Sequence, residues 1–216
     1  MAIRVLLADD HALLRDLLRR LLEAEPDIRV IGEAADGREL LRQAQALRPD
    51  VAIVDIAMPE LNGIDATAQL TTRHPALRVV CLSSYTAPSY VRSMLKAGAA
   101  GYLNKSVASS ELVRAVRAVA AGQTYLCPEV AGVAAESVRG AGRASGPARG
   151  LPALGRRERE VLQLVAEGRS TTAIAEKLSV SPATVDAHRR NIMRKLDVHT
   201  AVELTRFAIR EGLVEP

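Results

Sequence analysis

Within the first 105 residues, four short apolar runs each end on side chains able to do chemistry. Asp9 and Asp10 follow the run 3–8, Asp55 follows 51–54, Ser83 and Ser84 stand at the end of 78–83, and Lys105 follows 101–104. Three carboxylates brought together raise one another's pKa unless a cation joins them. Hard oxygen ligands suit Mg2+, and such an ion beside a carboxylate also neutralises an incoming phosphoryl group. The lysine ammonium and the serine hydroxyl would serve further phosphate oxygens. The chemistry implied is transfer of a phosphoryl group to a carboxylate, giving an aspartyl phosphate. Singly, each residue is ordinary: an aspartate at a strand end as a helix cap, a lysine as a solvated charge. Their coincidence at four run ends carries the reading. His11 reads as a surface residue at a helix start, with no chemical role.

The elements that must position these groups alternate. Apolar runs at 3–8, 28–34, 51–54, 78–83 and 101–104 are separated by helical patterns at 11–23, 37–47, 62–73, 88–97 and 109–121. In the first helix Leu13, Leu14, Leu17, Leu18, Leu21 and Leu22 recur at the i, i+3, i+4 spacing of an amphipathic face. Five such units predict an α/β doubly wound, five-stranded parallel sheet of order 2-1-3-4-5. They are too few for an eight-unit barrel. In an open sheet of this kind, ligands bind outside the carboxyl ends of the strands, where the five candidate groups lie.

Residues 138–152 hold four Gly, two Pro, three Ala and three Arg among fifteen, a composition that reads as a flexible linker. A short helix is expected before it, at 128–137, with proline at its first position. Beyond it the pattern is helical throughout. Four helices are expected, near 158–167, 170–178, 181–196 and 200–211. Ser181-Pro182 marks one start and Thr200-Ala201-Val202-Glu203 is a capping box at another. The close pair joined at Ser179-Val180 has helix-turn-helix spacing. The expected domains are 1–121, a connector and linker at 122–152, and a small all-α unit at 153–216.

The first part resembles the receiver domain of two-component response regulators, through Asp9-Asp10, the stretch Val-Asp-Ile-Ala-Met-Pro-Glu-Leu-Asn-Gly at 54–63, Ser83 and Lys105. The resemblance implies that Asp55 is the phosphoacceptor. Asp9 and Asp10 help hold Mg2+, Asp10 more directly, and the Ala57 carbonyl joins them. Ser83 is the switch hydroxyl, Lys105 pairs with the phosphate, and Tyr102 is the switch aromatic. Tyr85, two residues beyond Ser83, is expected to shield the acyl phosphate from water.

The last part resembles the LuxR-type helix-turn-helix, through Glu158-Arg159-Glu160-Val161-Leu162, Ile174-Ala175-Glu176-Lys177-Leu178 and the run from Ser181 to Leu196. The resemblance implies that the helix from Pro182 enters the major groove. Asp186, Ala187 and Arg190 fall where that family reads bases, with Asn191 on the same surface. Thr172, Thr184 and Arg194 are candidates for phosphate. Val185, Ile192 and Leu196 face inward, helped by Met193, and Arg189, Arg190, Arg194 and Lys195 put four cations on one helix. Together the halves resemble a response regulator of the NarL/FixJ type. Expected partners are a sensor histidine kinase, double-stranded promoter DNA and a second copy of the chain.

Composition narrows the field. Of 216 residues, 48% are hydrophobic and 25% charged, close to an ordinary soluble protein. No run approaches the roughly 18 apolar residues of a membrane span, and the paired acids come too early for a secretory leader. A cytoplasmic protein is expected. Cys81 and Cys127 make no disulfide framework, and His11, His74, His188 and His199 show no zinc spacing. Basic and acidic residues number 15 and 14 in 1–125, and 11 and 9 in 153–216, so net charge does not by itself point to DNA. One aromatic, Phe207, in the helical half argues against a single-strand binder. Two rival readings stand beside the regulator: a constitutive DNA binder with a vestigial receiver, and an aspartate-nucleophile phosphatase. The second acid that a phosphatase would use two residues after Asp55 is replaced by Ala57.

Overall fold

The structure, a computed structural model, describes residues 2–106, 109–133 and 154–214. The chain divides into two compact units, residues 1–143 and 144–216. The expected linker lies outside the described residues.

In the first unit, β1 (Ile3–Ala8), β2 (Ile28–Ala34), β3 (Val51–Val54), β4 (Arg78–Ser83) and β5 (Gly101–Asn104) alternate with α1 (Ala12–Glu23), α2 (Gly37–Leu47), α3 (Gly63–Arg73), α4 (Pro88–Lys96) and α5 (Ser109–Ala120). The strands are parallel, and the order 2-1-3-4-5 is the one expected. The sheet has a sixth strand, β6 (Tyr125–Leu126), parallel to β5. The five-strand expectation missed it because two residues are too few to show a period of two. Residues 128–133 are helical, as expected of the start of the 128–137 segment.

The central strands are buried on both faces, which explains their continuous apolar runs. Register then fixes the site: Ala8 lies opposite Val54, so Asp9 and Asp55 leave adjacent strands at one level. In α1 only part of the leucine face is covered. Leu18 and Leu22 are buried and Leu14 and Leu21 partly so, but Leu13 is 85% exposed and Leu17 59%. Six leucines span a wider arc than the sheet covers.

The loop from Asp55 to α3 is pinned by close backbone approaches. Gly63 N–H donates to the Ile56 carbonyl at 2.8 Å and Gly37 N–H to the Leu61 carbonyl at 3.1 Å. A Cβ on Gly63 would stand 1.8 Å from the Asp55 carbonyl oxygen. Asn62 caps α3, accepting from Asp65 N–H at 2.9 Å.

The second unit has the four expected helices: α6 (Arg156–Ala166), α7 (Thr171–Leu178), α8 (Pro182–Leu196) and α9 (Ala201–Arg210). Ser170, Ser181 and Thr200 cap α7, α8 and α9 through their hydroxyls. Ser179, at φ 51°, makes the sharp turn between α7 and α8. No helix among the described residues is long and apolar enough to cross a membrane.

Gly63→Ala should destabilise the first unit by about 3 kcal/mol or more, since backbone rather than a side chain must yield. Urea midpoints of the two proteins check this, and an unchanged midpoint would show that the loop relaxes freely.

Candidate functional site

At the carboxyl edge of the sheet, Lys105 Nζ lies 2.8 Å from Asp9 Oδ2 and 2.8 Å from Asp55 Oδ2. Asp9 and Asp55 are each 3% exposed. The other Asp55 oxygen, Oδ1, accepts from Ile56 N–H at 2.8 Å. Burial pushes the Asp55 carboxyl up to about 6, although the nearby Lys105 pulls it down. For Lys105, burial opposes the charge, but Asp55 and Asp9 hold the ammonium above its ordinary value.

His11 belongs to this pocket, contrary to the expectation of a bystander. Its Nδ1 lies 2.8 Å from Asp10 Oδ1 and 3.2 Å from Asp9 Oδ1, and its backbone N–H donates to Asp9 Oδ1 at 2.9 Å. Asp10 beside it raises the imidazole pKa against the effect of burial. Ligand atoms of Asp9, Asp10, His11 and Asp55 all lie within 4.8 Å of one another. Asp10 Oδ1 is fully buried, yet it accepts no hydrogen bond of ordinary geometry. A buried, unsatisfied carboxylate oxygen amid two other carboxylates fits a divalent cation. Asp9, Asp10 and Asp55 are the carboxylates expected from sequence, and Ala57 lies buried in the loop just past Asp55. The sequence signal for His11 was its place directly after the acid pair.

Ser83 is fully buried at the end of β4, and its Oγ accepts from Tyr85 N–H at 3.2 Å. Tyr102, fully buried on β5, donates its hydroxyl to the Tyr85 carbonyl. One residue's backbone thus joins the two expected switch residues. The Tyr85 ring rests against Tyr90, with centroids 4.9 Å apart.

The helical unit brings the expected DNA-facing residues to one side. Val185 and Ile192 are buried, and Met193 and Leu196 pack against the same core. Thr184, Ala187, Asn191 and Arg194 form a stripe at helical spacing, with Arg190 beside it. Arg190, Arg194 and Thr172 are exposed, whereas Thr184, Asp186, Ala187 and Asn191 are half-buried. Two of the four expected cations are used internally. Lys195 Nζ reaches Glu158 Oε2 on α6 at 2.6 Å, and Arg189 donates to Thr171 Oγ1 on α7 at 3.3 Å. Arg194 donates to Asn191 Oδ1 at 3.1 Å, which aligns both on the outer face. Neither Arg190 nor Arg194 has an ion pair among the described residues.

A doubly wound sheet with a lysine-bridged acid pocket, carried on one chain with a helix-turn-helix unit, defines a signal-dependent DNA-binding regulator. Comparison with known proteins makes this specific. Residues 5–117 match the response regulator receiver domain, and residues 152–208 match the bacterial regulatory proteins of the luxR family. The chain is 39% identical over 212 residues to the transcriptional regulatory protein LiaR of Bacillus subtilis (strain 168), covering 98% of this chain and 99% of that protein. It is 35% identical over 211 residues to the response regulator UvrY of Escherichia coli (strain K12), covering 98% and 95%. Among solved structures, RcsB of Salmonella enterica serovar Typhimurium, bound to promoter rprA with the phosphomimetic BeF3-, matches with a TM-score of 0.61 at 26% identity, covering 96% of this chain and 98% of that one. The chain belongs to the two-component response regulators of the NarL/FixJ family, which pair a receiver domain with a LuxR-type DNA-binding domain. Such proteins work with histidine kinases and bind promoter DNA, and their receivers bind Mg2+ at an acidic pocket.

The raised Asp55 pKa has a stability consequence. Between about 4 and 6 the folded state keeps a proton that the unfolded chain releases, so Asp55 lowers stability as pH rises through that window. Without divalent cations at pH 7.5, Asp55→Asn should be more stable than the parent by about 1–3 kcal/mol. The gap should close as pH falls toward 4. Urea unfolding in chelator across this range checks it, and a gap that widens on acidification would contradict it.

Proposed function

We propose that this chain is a phosphorylation-gated transcription regulator in which Asp55 accepts the phosphoryl group from a partner histidine kinase in the cytoplasm. The observation that supports this reading most is the burial of Asp55 with Lys105 bridging it to Asp9. Lys105 withholds one Asp55 oxygen from solvent and stays at hand to neutralise a new phosphate oxygen. The Asp55 carboxylate attacks phosphorus, the P–N bond to the kinase imidazole breaks, and that nitrogen leaves with the electron pair. Asp9, Asp10 and Asp55, with the Ala57 carbonyl, would hold Mg2+, which when bound offsets the negative charge gathered there.

Phosphorylation then biases a pre-existing equilibrium. If the Ser83 hydroxyl turns to the phosphoryl oxygens, it releases Tyr85 N–H. The Tyr85 carbonyl, held by Tyr102, shifts with that peptide. Ser83 and Tyr102 thereby report the state of Asp55 to the outer edge of the sheet. Dimerisation and promoter binding follow from that change. RcsB, bound to promoter DNA with a phosphomimetic, supports this order of events for a relative. In the helical unit, Arg190 reads a base, with Asp186, Ala187 and Asn191 alongside it. Thr172, Thr184 and Arg194 contact phosphates. The complete set Asp9, Asp10, Asp55, Ser83 and Lys105 favours this over a vestigial receiver.

Incubation with Mg2+ and acetyl phosphate should add one phosphoryl mass to the parent and none to Asp55→Asn. The phosphorylated parent should then bind more tightly than Asp55→Asn to duplexes selected from a random pool. Equal binding by both would favour the constitutive reading.

On such a duplex, Arg190→Ala should cost about 1–3 kcal/mol and relax sequence preference, while Arg194→Ala weakens all sequences alike and reduces the salt slope by about 1. Both should keep the parent's unfolding midpoint. Lys195→Met should instead lower stability by about 1 kcal/mol through loss of its Glu158 contact. Anisotropy titrations and urea melts separate the two classes.

A further inference from the structure

The acid pocket of this chain carries a nitrogen donor as well as oxygens. We propose that His11 Nδ1 is a metal ligand, so that the pocket prefers a later first-row divalent transition ion over Mg2+. The inference rests on the reading of Asp9, Asp10 and Asp55 as a cation site.

Geometry comes first. Neighbouring ligands of an octahedral ion, each about 2.1 Å from the metal, are about 3.0 Å apart. His11 Nδ1 lies 2.8 Å from Asp10 Oδ1 and 3.2 Å from Asp9 Oδ1, the spacing of octahedral edges. Lys105 occupies Asp9 Oδ2 and Asp55 Oδ2, on the other side of both carboxylates. That leaves Asp9 Oδ1 and the unsatisfied Asp10 Oδ1 turned toward the imidazole. The backbone fixes this arrangement, because His11 N–H is held by Asp9 Oδ1 at 2.9 Å. The imidazole side chain is 55% exposed, so water has access to the remaining coordination positions.

Chemistry then sets the preference. Carboxylate, carbonyl and water oxygens suit Mg2+, whereas imidazole favours iron, nickel, copper and zinc. Mg2+ keeps its waters reluctantly displaced and gains little from a nitrogen. For Co2+, Ni2+ or Fe2+, replacing one water by imidazole strengthens binding. The same side chain would act oppositely if it served only as a tethered counter-ion to Asp10, since every incoming cation would then have to displace it.

The test uses the full chain, its His11→Ala variant and its Asp10→Asn variant at pH 8, with Co2+ and Mg2+ as probes, titrated by calorimetry. The parent should bind Co2+ more tightly than Mg2+, and His11→Ala should lower the ratio of the two affinities at least about tenfold. Co2+ should also give the parent one strongly shifted exchangeable proton resonance from a ligated imidazole, missing in His11→Ala. Tighter binding of both ions by His11→Ala, or an unchanged ratio with no shifted resonance lost, overturns the inference while leaving the cation site standing. Failure of the parent to bind either ion, or a normal Mg2+ affinity in Asp10→Asn, would instead remove the cation-site reading itself and the inference with it.

Discussion

One ammonium between two buried carboxylates is the contact on which the receiver's chemistry depends. Lys105 leaves the end of β5, Asp9 the end of β1 and Asp55 the end of β3. Removing one partner from such a buried set typically costs about 3–5 kcal/mol, because the other charges stay behind unpaired. The arrangement therefore demands that three strands end at the same level. The sheet register supplies this, with Ala8 opposite Val54, and Ser83 opposite Asn104 one residue before the lysine. The glycines at 37 and 63 serve the same end, letting the loop after Asp55 fold back against backbone.

The helical unit shows how polar contacts divide a basic helix between structure and recognition. Glu158 accepts both Gly155 N–H, at 2.8 Å, and Lys195 Nζ, at 2.6 Å. It thereby caps α6 where Gly155 has no side chain to do so, and it draws one cation off the outer surface. Arg157 pairs with Glu160 at 2.8 Å and donates to the Leu178 carbonyl, tying the end of α7 to α6. These ties hold the orientation of α8, and Arg190 and Arg194 remain outside.

Much of this was legible in the sequence because it rests on local signals. Strand ends followed by acids, the Asn62-Gly63 and Ser181-Pro182 helix starts, and the Thr200–Glu203 box each show within a few residues, and each stands where expected. What escaped depends on partners far along the chain. The sharing of cations between Lys195 and Arg190 turns on Glu158, 37 residues before Lys195. The sixth strand exists only because β5 offers it an edge. The exposure of Leu13 and Leu17 reflects how much of α1 the sheet covers, which no periodicity states. His11 escaped for a different reason: its neighbours are adjacent, but only the turn after β1 brings the ring back over both acids.

The charge balance of the pocket explains why a receiver built this way can work as a switch. Three carboxylates face one ammonium, so the resting pocket already holds excess negative charge, and burial taxes it further by raising Asp55. An aspartyl phosphate adds to that excess. The new charge is accommodated only if a divalent cation is present and if further donors turn inward. Ser83 is the nearest such donor by sequence and strand position, and its hydroxyl is at present engaged with Tyr85 N–H. Meeting the phosphate therefore means breaking that bond. The peptide so released is the one whose carbonyl holds Tyr102. The electrostatic need at Asp55 and the packing of Tyr102 are thus coupled through a single residue. The response to phosphate is a discrete exchange of hydrogen bonds, not a graded deformation of the sheet.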